Sequence, residues 1–459
     1  MSFHMKKISI CLLLAAFICA CSQKATLPDG VTTINVDVNN HVKDYDITSI
    51  YDTTCCKIVK LQNVADALIG GRIKKIFYRE GYLFIWEEQT NTIFKYDDTG
   101  RYISKISSYG EGPQDYMSMA SVYVTDDNIY IFDQVKRKIL YYDYDCLYRG
   151  TINITSPKEG GFLMHDFFVM GDRVFMLNHM LKNGSPYSTH KAASMDMNGG
   201  DICCYLPLGE DEMIPYSLYL HKQDFTSVND RVHFMCLSTD TFYVATGNGV
   251  GAEYVLDFGE NTLPKESYTE NPAMLYTTEY DKYVKGIKSF IETNTHIIFC
   301  FEYGRLPRFS PDVFDKETGG DPIKGEERMR TKWPTTLYHL IYDKNTGKSI
   351  LANGIKTEYY GLYRMGFTNV DGSYSFNVFY PETLPSSYGK NKYFSIPLNT
   401  AYEKQLNDIY SSLTIDDNPV ICIYKFKDVE KKSILHKKTV ALRATVFLCI
   451  SENLFTIVR

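Results

Sequence analysis

Side chains able to do chemistry are common in this chain, but their spacing matches no familiar catalytic or metal site. The ten histidines are scattered, and no two of them lie two or four residues apart. The adjacent pairs Cys55-Cys56 and Cys203-Cys204 also lack the spacing of zinc ligands. HExxH, GxSxG and EF-hand patterns are absent. We therefore predict no bound metal and no cofactor. A pair of glycosidase carboxylates contributed by separate strands stays open, because sequence spacing does not reveal it.

Glycine-rich segments of the chain are predicted to form turns. Gly347-Lys348-Ser349 ends like a phosphate-binding loop, but Tyr342 occupies the position of its first glycine. Residues 247–251 contain three glycines and precede a strand where a nucleotide site needs a helix. Asn369-Val-Asp371-Gly372 is close to a sialidase Asp box, with its glycine one place early. His165 and His233 fall in or beside strands, and we interpret both as structural.

The N-terminus has the pattern of a secretory signal. Two lysines precede an apolar run from Ile8 to Ile18 that is too short to span a bilayer. The run ends Ile18-Cys19-Ala20-Cys21, which resembles the lipobox of bacterial lipoproteins. The resemblance implies cleavage after residue 20 and lipidation of Cys21, with several acyl chains giving a stable anchor. Ser22-Gln23-Lys24 contains no acidic residue, which favours the periplasmic face of the outer membrane over the cell surface.

One long segment is a candidate for partner binding. Residues 302–334 contain Arg305, Arg308 and Trp333 and carry many charges of both signs. A loop of this length in a folded domain is usually functional or disordered, and the sequence leaves both readings open. Trp333 is one of two tryptophans in the chain and would suit a partner anchor.

These residues must be positioned by a repeating β-structure. The segment 85–106 aligns with 131–152 at an offset of 46, so that Trp86 corresponds to Phe132 and Tyr96 to Tyr142. Weaker copies follow, and self-similarity at this period indicates a propeller or a solenoid. A helical pattern occurs once near the end, where a capping box at Thr400 precedes one apolar stripe. We predict that an early strand in 54–61 pairs with a late strand in 418–427 and closes a ring.

A specific resemblance supports the ring. Gly110-Glu-Gly112-Pro113-Gln-Asp115-Tyr116 resembles the Gly-x-Gly-Pro-x-Glu-Tyr signature of the six-bladed β-propeller lipoproteins of Bacteroides, propellers similar to the NHL and TolB types. The lipobox, Leu68-Ile-Gly70 and the late Asn-Pro-Val also match. The resemblance implies an all-β fold of six four-stranded antiparallel blades, closed by the terminal strands, with one short helix near the C-terminus. It implies no activity, because propellers host many functions.

Composition narrows the functional classes. The chain has 459 residues and a net charge of -6, which leaves no basic surface for nucleic acid. We predict a signal peptide at 1–20, a lipid-anchored linker at 21–45, the propeller at 46–427 and an extension of unknown role at 428–459. The predicted function is a monomeric binding or scaffold module of the cell envelope that takes a protein or glycan partner. The alternative is a propeller enzyme, either a lactonase-like hydrolase with calcium in the channel or a glycan-acting hydrolase.

The lipid anchor can be tested directly. Replacing Cys21 by alanine should abolish acylation, because the thiol is the only atom that accepts the first lipid. We expect the variant to leave the membrane fraction and to appear as soluble or uncleaved protein, measured by fractionation and metabolic labelling with a fatty acid. The neighbouring Cys19→Ala variant is the control and should remain membrane-bound. A mature-size Cys21→Ala chain that still fractionates with membranes would contradict the interpretation.

Overall fold

The computed structural model is built almost entirely from short antiparallel strands. It describes residues 30–43, 45–154, 164–178, 190–207, 225–236, 240–264, 267, 278–304, 337–356, 367–381 and 400–427. The predicted signal peptide and C-terminal extension lie outside these residues.

The strands group into six blades, numbered here in chain order. The N-terminal segment holds β1 (Thr32–Asn35), β2 (Tyr45–Asp46) and β3 (Tyr51–Lys60). Blade 1 holds β4 (Ile73–Arg79), β5 (Tyr82–Glu87), β6 (Thr92–Asp97) and β7 (Tyr102–Ile106), and blade 2 holds β8 (Ser121–Val124), β9 (Ile129–Asp133), β10 (Lys138–Tyr142) and β11 (Tyr148–Asn153). Blade 3 holds β12 (Met164–Met170), β13 (Arg173–Asn178), β14 (His190–Asp196) and β15 (Cys203–Pro207), and blade 4 holds β16 (Phe225–Val228), β17 (Arg231–Met235), β18 (Thr241–Thr246) and β19 (Gly249–Asp257). Blade 5 holds β20 (Val284–Glu292), β21 (His296–Tyr303), β22 (Leu337–Asp343) and β23 (Lys348–Ala352), followed by β24 (Ile355–Lys356). Blade 6 holds β25 (Phe367–Thr368), β26 (Tyr374–Phe379) and β27 (Val420–Phe426), with a helix, α1 (Thr400–Tyr410), between the last two.

The six sheets confirm the predicted all-β, six-bladed propeller. Each blade is a four-stranded antiparallel sheet whose strands follow chain order from the ring centre outward, except that blade 6 ends with β3. The first strands of successive blades contact one another, as β8 does with β12, β16 with β20 and β25 with β4. The central strands are fully buried because blades stack on both of their faces; β9, for example, has no exposed residue. This packing accounts for the many aromatic and β-branched residues.

The predicted repeat between blades 1 and 2 is confirmed down to the register. Trp86 pairs with Ile93, and the equivalent residues Phe132 and Ile139 pair in the next blade. The bulge between the third and fourth strands also recurs. The strand pairing skips Arg149 in blade 2 and the equivalent residue Ile103 in blade 1. Sequence similarity at this offset therefore reflects identical strand pairing.

A recurring aspartate shapes the turn after the third strand. Asp97, Asp143, Asp196 and Asp343 each accept a hydrogen bond from the backbone N–H two residues further on. This Asx turn is why the repeat retains an aspartate at this position. In blade 1, burial opposes ionisation, but hydrogen bonds from Thr99 and Arg101 lower the pKa of Asp97 to about 2.

Blade 6 pairs an early strand with a late strand and closes the ring, as predicted. β27 pairs antiparallel with β3, matching Val420 to Lys60 and Phe426 to Tyr51. The turn at Gly100 of blade 1 then packs against this outer strand. Gly100 has a φ of 89°, and a Cβ there would overlap the carbonyl oxygen of Lys60, so only glycine fits.

Asn418 fastens this closure. Its side chain is buried, and its Oδ1 accepts a hydrogen bond from the backbone N–H of Ile69 at 2.7 Å. Its Nδ2 donates to the carbonyls of Gln62 at 2.9 Å and Ala67 at 2.7 Å. One amide thus connects the end of the chain to the segment that leads from blade 6 into blade 1. The Asn-Pro-Val and Leu68-Ile-Gly70 motifs meet at this contact.

The N-terminal segment, which includes part of the predicted linker 21–45, forms a strap around the outside of the ring. β1 adds a fifth, parallel strand to the outer edge of blade 4, matching Thr32 to Tyr254. β2 pairs in parallel with β24 beside blade 5. Val36 and Val38 are buried between these blades. Folded structure therefore begins by residue 32, because the outer edges of blades 4 and 5 offer unpaired backbone groups.

The predicted C-terminal helix is confirmed as α1. Its apolar stripe buries Tyr402 and Leu406 against blade 6. The hydroxyl of Tyr402 lies 2.8 Å from that of Tyr424 on β27. No helix among the described residues is long and apolar enough to cross a bilayer.

The closure contact predicts a large effect from a small change. Asn418→Asp keeps the side-chain shape but removes both amide donors and places a charge beside two carbonyl oxygens. We expect it to lower the free energy of unfolding by about 3 kcal/mol. Urea unfolding followed by fluorescence measures this loss.

The matched control for this experiment is Asp408→Asn. That residue lies on the exposed side of α1 and pairs with Lys404 near the same edge of the ring. We expect a change of less than about 0.5 kcal/mol. Equal losses in both variants would show that Asn418 does not hold the ring closed.

Candidate functional site

The two faces of the ring carry connections of very different length. On one face, here called the tight face, the turns within blades contain two to six residues, from 80–81 to 197–202. On the opposite face, here called the loop face, the connections reach 304–336 in blade 5 and 380–419 in blade 6. The connection 380–419 contributes α1 and Asn418 to the closure of blade 6, whereas the strands need only a short turn in place of 304–336. The loop face is therefore the candidate binding surface.

Side chains fill the central channel. The first strands run in the same direction, and alternate residues on them point toward the ring axis. Tyr123 of blade 2 contacts Phe225 of blade 4, with ring centroids 5.5 Å apart. Phe77 and Phe168 are buried in the same cluster. Burial raises the pKa of Tyr123, so its hydroxyl remains neutral. The middle of the channel is a hydrophobic core.

An ion pair closes the channel at the loop face. Lys75 of blade 1 donates to Asp166 of blade 3, with Nζ and Oδ2 3.0 Å apart. The ammonium also lies 5.3 Å from the ring of Phe225 on the opposite blade. Ser121 of blade 2 donates to the other oxygen of Asp166. Four blades thus meet in this cluster, which we call the Lys75 cluster.

A backbone turn closes the channel at the tight face. The turn 369–373 of blade 6 reaches across the ring, and the carbonyl of Val370 accepts a hydrogen bond from Ser227 of blade 4 at 2.5 Å. The amide of Asn369 pairs with both backbone groups of Tyr78 in blade 1. Arg79 forms an ion pair with Asp371 beside this turn. The segment that resembles an Asp box therefore has a structural role, because it closes the tight-face end of the channel.

The channel does not fit the calcium ion that the lactonase-like alternative requires. Calcium takes six to eight oxygen ligands, whereas the middle of the channel holds the buried rings of Phe77, Tyr123 and Phe225. Asp166 is already neutralised by Lys75, and Asp371 by Arg79. The described part of the chain contains no group of three histidine, cysteine or carboxylate side chains that could hold a metal. We derive no reaction step through such an ion.

The glycine-proline motif forms a clasp between blades 1 and 2. Its loop folds back so that Gly110 and Tyr116 pair through their backbones, and Asp115 accepts from the N–H of Gly112. The ammonium of Lys136 in blade 2 donates to the carbonyls of Gly110, Gly112 and Asp115 at 3.0, 3.0 and 3.1 Å. The ammonium of Lys138 donates to the carbonyl of Pro113 at 2.8 Å. These contacts give the motif a structural role.

The outside of this clasp exposes apolar side chains on the loop face. Tyr109 is 64% exposed and Val135 is 61% exposed, with Met117 next to them. The backbone N–H groups of Met117 and Val135 both donate to the buried carboxylate of Asp133, which holds the two residues together. We call Tyr109, Met117 and Val135 the clasp patch. Exposed apolar side chains held near one another make this patch a candidate contact surface for a protein partner.

The structure describes only part of the predicted site. Gly110, Gly112, Pro113, Asp115 and Tyr116 lie together in the clasp. Cys21, Arg305, Arg308 and Trp333 lie outside the described residues, although the segment of the last three joins β21 to β22 on the loop face. Sequence reasoning missed the Lys75 cluster, since nothing in the sequence relates Lys75 to Asp166, 91 positions away.

Comparison with known proteins places the chain in a family and relates its fold to a solved structure. The family model Domain of unknown function (DUF4934) matches residues 31–425. A crystal structure described as a "Putative exported protein" from Bacteroides fragilis is similar with a TM-score of 0.60 and 14% identity, covering 87% of this chain and all of that one. A member of the DUF4221 family from Bacteroides vulgatus has a TM-score of 0.44 and 13% identity, covering 81% and 97%. None of the curated proteins matches significantly. The Bacteroides fragilis structure shares the fold.

The Lys75 cluster yields a test of whether the channel mouth is structural. Lys75→Met leaves Asp166 without its cation, and we expect the free energy of unfolding to fall by about 2 kcal/mol. The double variant with Asp166→Leu should recover part of this loss. The adjacent exposed Lys74→Met is the control and should change little. Chemical denaturation measures all three, and a Lys75→Met protein more stable than wild type would indicate a strained ligand site instead.

Proposed function

We propose that this chain, which belongs to the family Domain of unknown function (DUF4934), is a lipid-anchored protein of the cell envelope whose propeller binds a partner on its loop face. The partner is a protein or a glycan of the envelope. The ring serves as a rigid scaffold for the loops and performs no catalysis.

The single observation that carries this proposal is the asymmetry between the two faces. Turns of two to six residues connect neighbouring strands on the tight face. On the loop face, the connection between the second and third strands of blade 5 spans 304–336, far more than two neighbouring strands need. Ordering extra chain costs conformational entropy, and a function on that face explains why it is retained.

Two further features support a binding role over catalysis. The channel, where propeller enzymes would assemble polar groups around the axis, is filled by Phe77, Tyr123 and Phe225 and closed at both ends. The clasp patch exposes rigid apolar side chains on the loop face. Trp333 belongs to the long connection from the same face, and tryptophan is a preferred anchor at protein interfaces.

The location rests on the lipobox and on the geometry of the strap. The strap meets the ring at the outer edge of blade 4, at β1. Residues 21–30, if lipidated at Cys21, extend at most about 35 Å, so the ring would stay close to the bilayer. The relative from Bacteroides fragilis carries the description of an exported protein. We assign the periplasmic side of the outer membrane.

Site-specific photocrosslinking in cells tests which face binds. A photoreactive amino acid would replace Tyr109 or Val135 on the loop face, or Leu147 on the tight face. Leu147 is a matched control because it is 56% exposed, compared with 64% for Tyr109. We expect a discrete crosslinked product from the loop-face positions only. Mass spectrometry identifies a protein partner, and glycan staining identifies a glycan.

A second variant tests whether Trp333 contributes to binding at the same face. Trp333→Ala should reduce the yield of the Tyr109 crosslink at least tenfold, because a hot-spot tryptophan contributes about 2 kcal/mol or more. Its melting temperature should match that of wild type. A crosslink from Leu147 alone, or equal yields from both faces, would overturn the assignment of the loop face.

A further inference from the structure

A buried histidine joins blades 4 and 5. His233 on β17 is 3% exposed, and its ring stacks on Phe242 with an interplanar angle of 3°. Its Nε2 lies 2.7 Å from Glu253 of the same blade. Its Nδ1 lies 2.5 Å from Glu292 of blade 5, a close ion pair not aligned as a hydrogen bond. The imidazole therefore sits between two carboxylates from different blades.

The carboxylates have cationic partners of their own. Arg231 pairs with Glu253, and the ammonium of Lys344 donates to Glu292 at 2.9 Å. Tyr254 is the remaining titratable neighbour, with its ring 6.2 Å from the imidazole. Glu253 reaches the histidine because it is the extra residue of a β-bulge between β18 and β19. The joint is thus a row of five charged side chains with the imidazole at its centre.

The doubly protonated imidazole gives each of the two carboxylates an N–H to face. A neutral imidazole has one N–H and one lone pair, so one of its nitrogens would face a carboxylate with no proton between them. Burial lowers the pKa of His233, but contacts with Glu253 and Glu292 outweigh burial and raise it above 6.5. His339, buried in blade 5 without carboxylates, shows the opposite behaviour, since burial lowers its pKa to about 4.

We propose that the joint between blades 4 and 5 is a proton-dependent switch, which is tight while His233 is an imidazolium and loosens when that proton is lost at alkaline pH. This inference does not depend on the proposed binding function.

The direction of the pH dependence follows from the raised pKa. A group whose pKa is higher in the folded state stabilises the fold fully below its unfolded value of 6.5, and this stabilisation is lost as the pH rises through the folded value. Each unit of difference corresponds to a tenfold tighter hold on the proton in the folded protein. The joint also lies against blade 6, because a Cβ on Gly372 (φ 64°) would overlap the carbonyl oxygen of Glu292. Loosening would therefore reach the turn that closes the channel.

Nuclear magnetic resonance of the imidazole nitrogens tests the protonation state in the wild-type protein. We expect His233 to carry protons on both nitrogens at pH 6.5, where an ordinary histidine is half protonated, and to titrate at higher pH. Phe242→Leu assigns the resonance through loss of the stacked ring and changes no charge. A mainly neutral imidazole at pH 6.5 would overturn the proposal.

Thermal unfolding between pH 6 and 9 tests the consequence for stability. The melting temperature of wild type should exceed that of His233→Gln at pH 6, and the difference should shrink as the pH rises. His339→Gln is the matched control with the opposite trend. His339 is neutral in the folded protein across this range but gains a proton in the unfolded chain below its ordinary pKa of 6.5, so the melting temperature of wild type relative to this variant should rise from pH 6 to about 7.5 and then stay constant. A difference for His233→Gln that does not shrink with rising pH would show that the joint is not proton-dependent. If His233→Gln does not fold, the wild-type titration decides alone.

Discussion

Closure of the ring is the constraint on which the rest of the structure depends. A blade buries both faces only when it has a neighbour on each side, so an open row of six blades would expose two apolar faces. Pairing of β27 with β3 removes those ends, and the buried amide of Asn418 connects them to the crossing into blade 1. The strap then covers the outer edges of blades 4 and 5. Blades 1 to 5 are thus held by a contact between residues more than 340 positions apart.

The blades are joined by polar groups as well as by apolar packing. Between blades 6 and 1, the side-chain amide of Asn369 bonds to the backbone as a neighbouring strand would. Lys136 holds the clasp between blades 1 and 2, and His233 lies between blades 4 and 5. Apolar faces alone would tolerate small rotations of one blade against the next. Directional bonds between buried groups fix the angle, because leaving any of them without a partner is costly. Polar joints therefore set the geometry of a ring whose stability comes from hydrophobic burial.

The filled channel determines where function can lie. Aromatic side chains occupy the axis, an ion pair closes one end and a backbone turn closes the other. A ligand at the axis would have to displace buried aromatic rings. The loop face imposes no such cost, because its connections and the clasp patch lie outside the core. The physical argument for the proposed binding role is therefore one of access: a partner can reach the loop face without disturbing the core.

The sequence alone determined the architecture, because local patterns encode it. The 46-residue offset, the aspartate turns and the apolar stripe of α1 are local sequence patterns, and they predicted repeated antiparallel strands and the helix. The six-bladed ring was implied by the resemblance of Gly110–Tyr116 to a propeller signature. The closing strands were also predictable, since an unpaired early and late strand have few other partners in a ring. Only the tertiary structure decided which polar residues meet. Lys75 and Asp166 come from different blades. Glu253 turns toward His233 at a β-bulge that the sequence pattern does not predict. Closure of the ring brings together residues that are far apart in the chain. The fold could therefore be predicted from the sequence, whereas the polar contacts between blades and the filling of the channel could not.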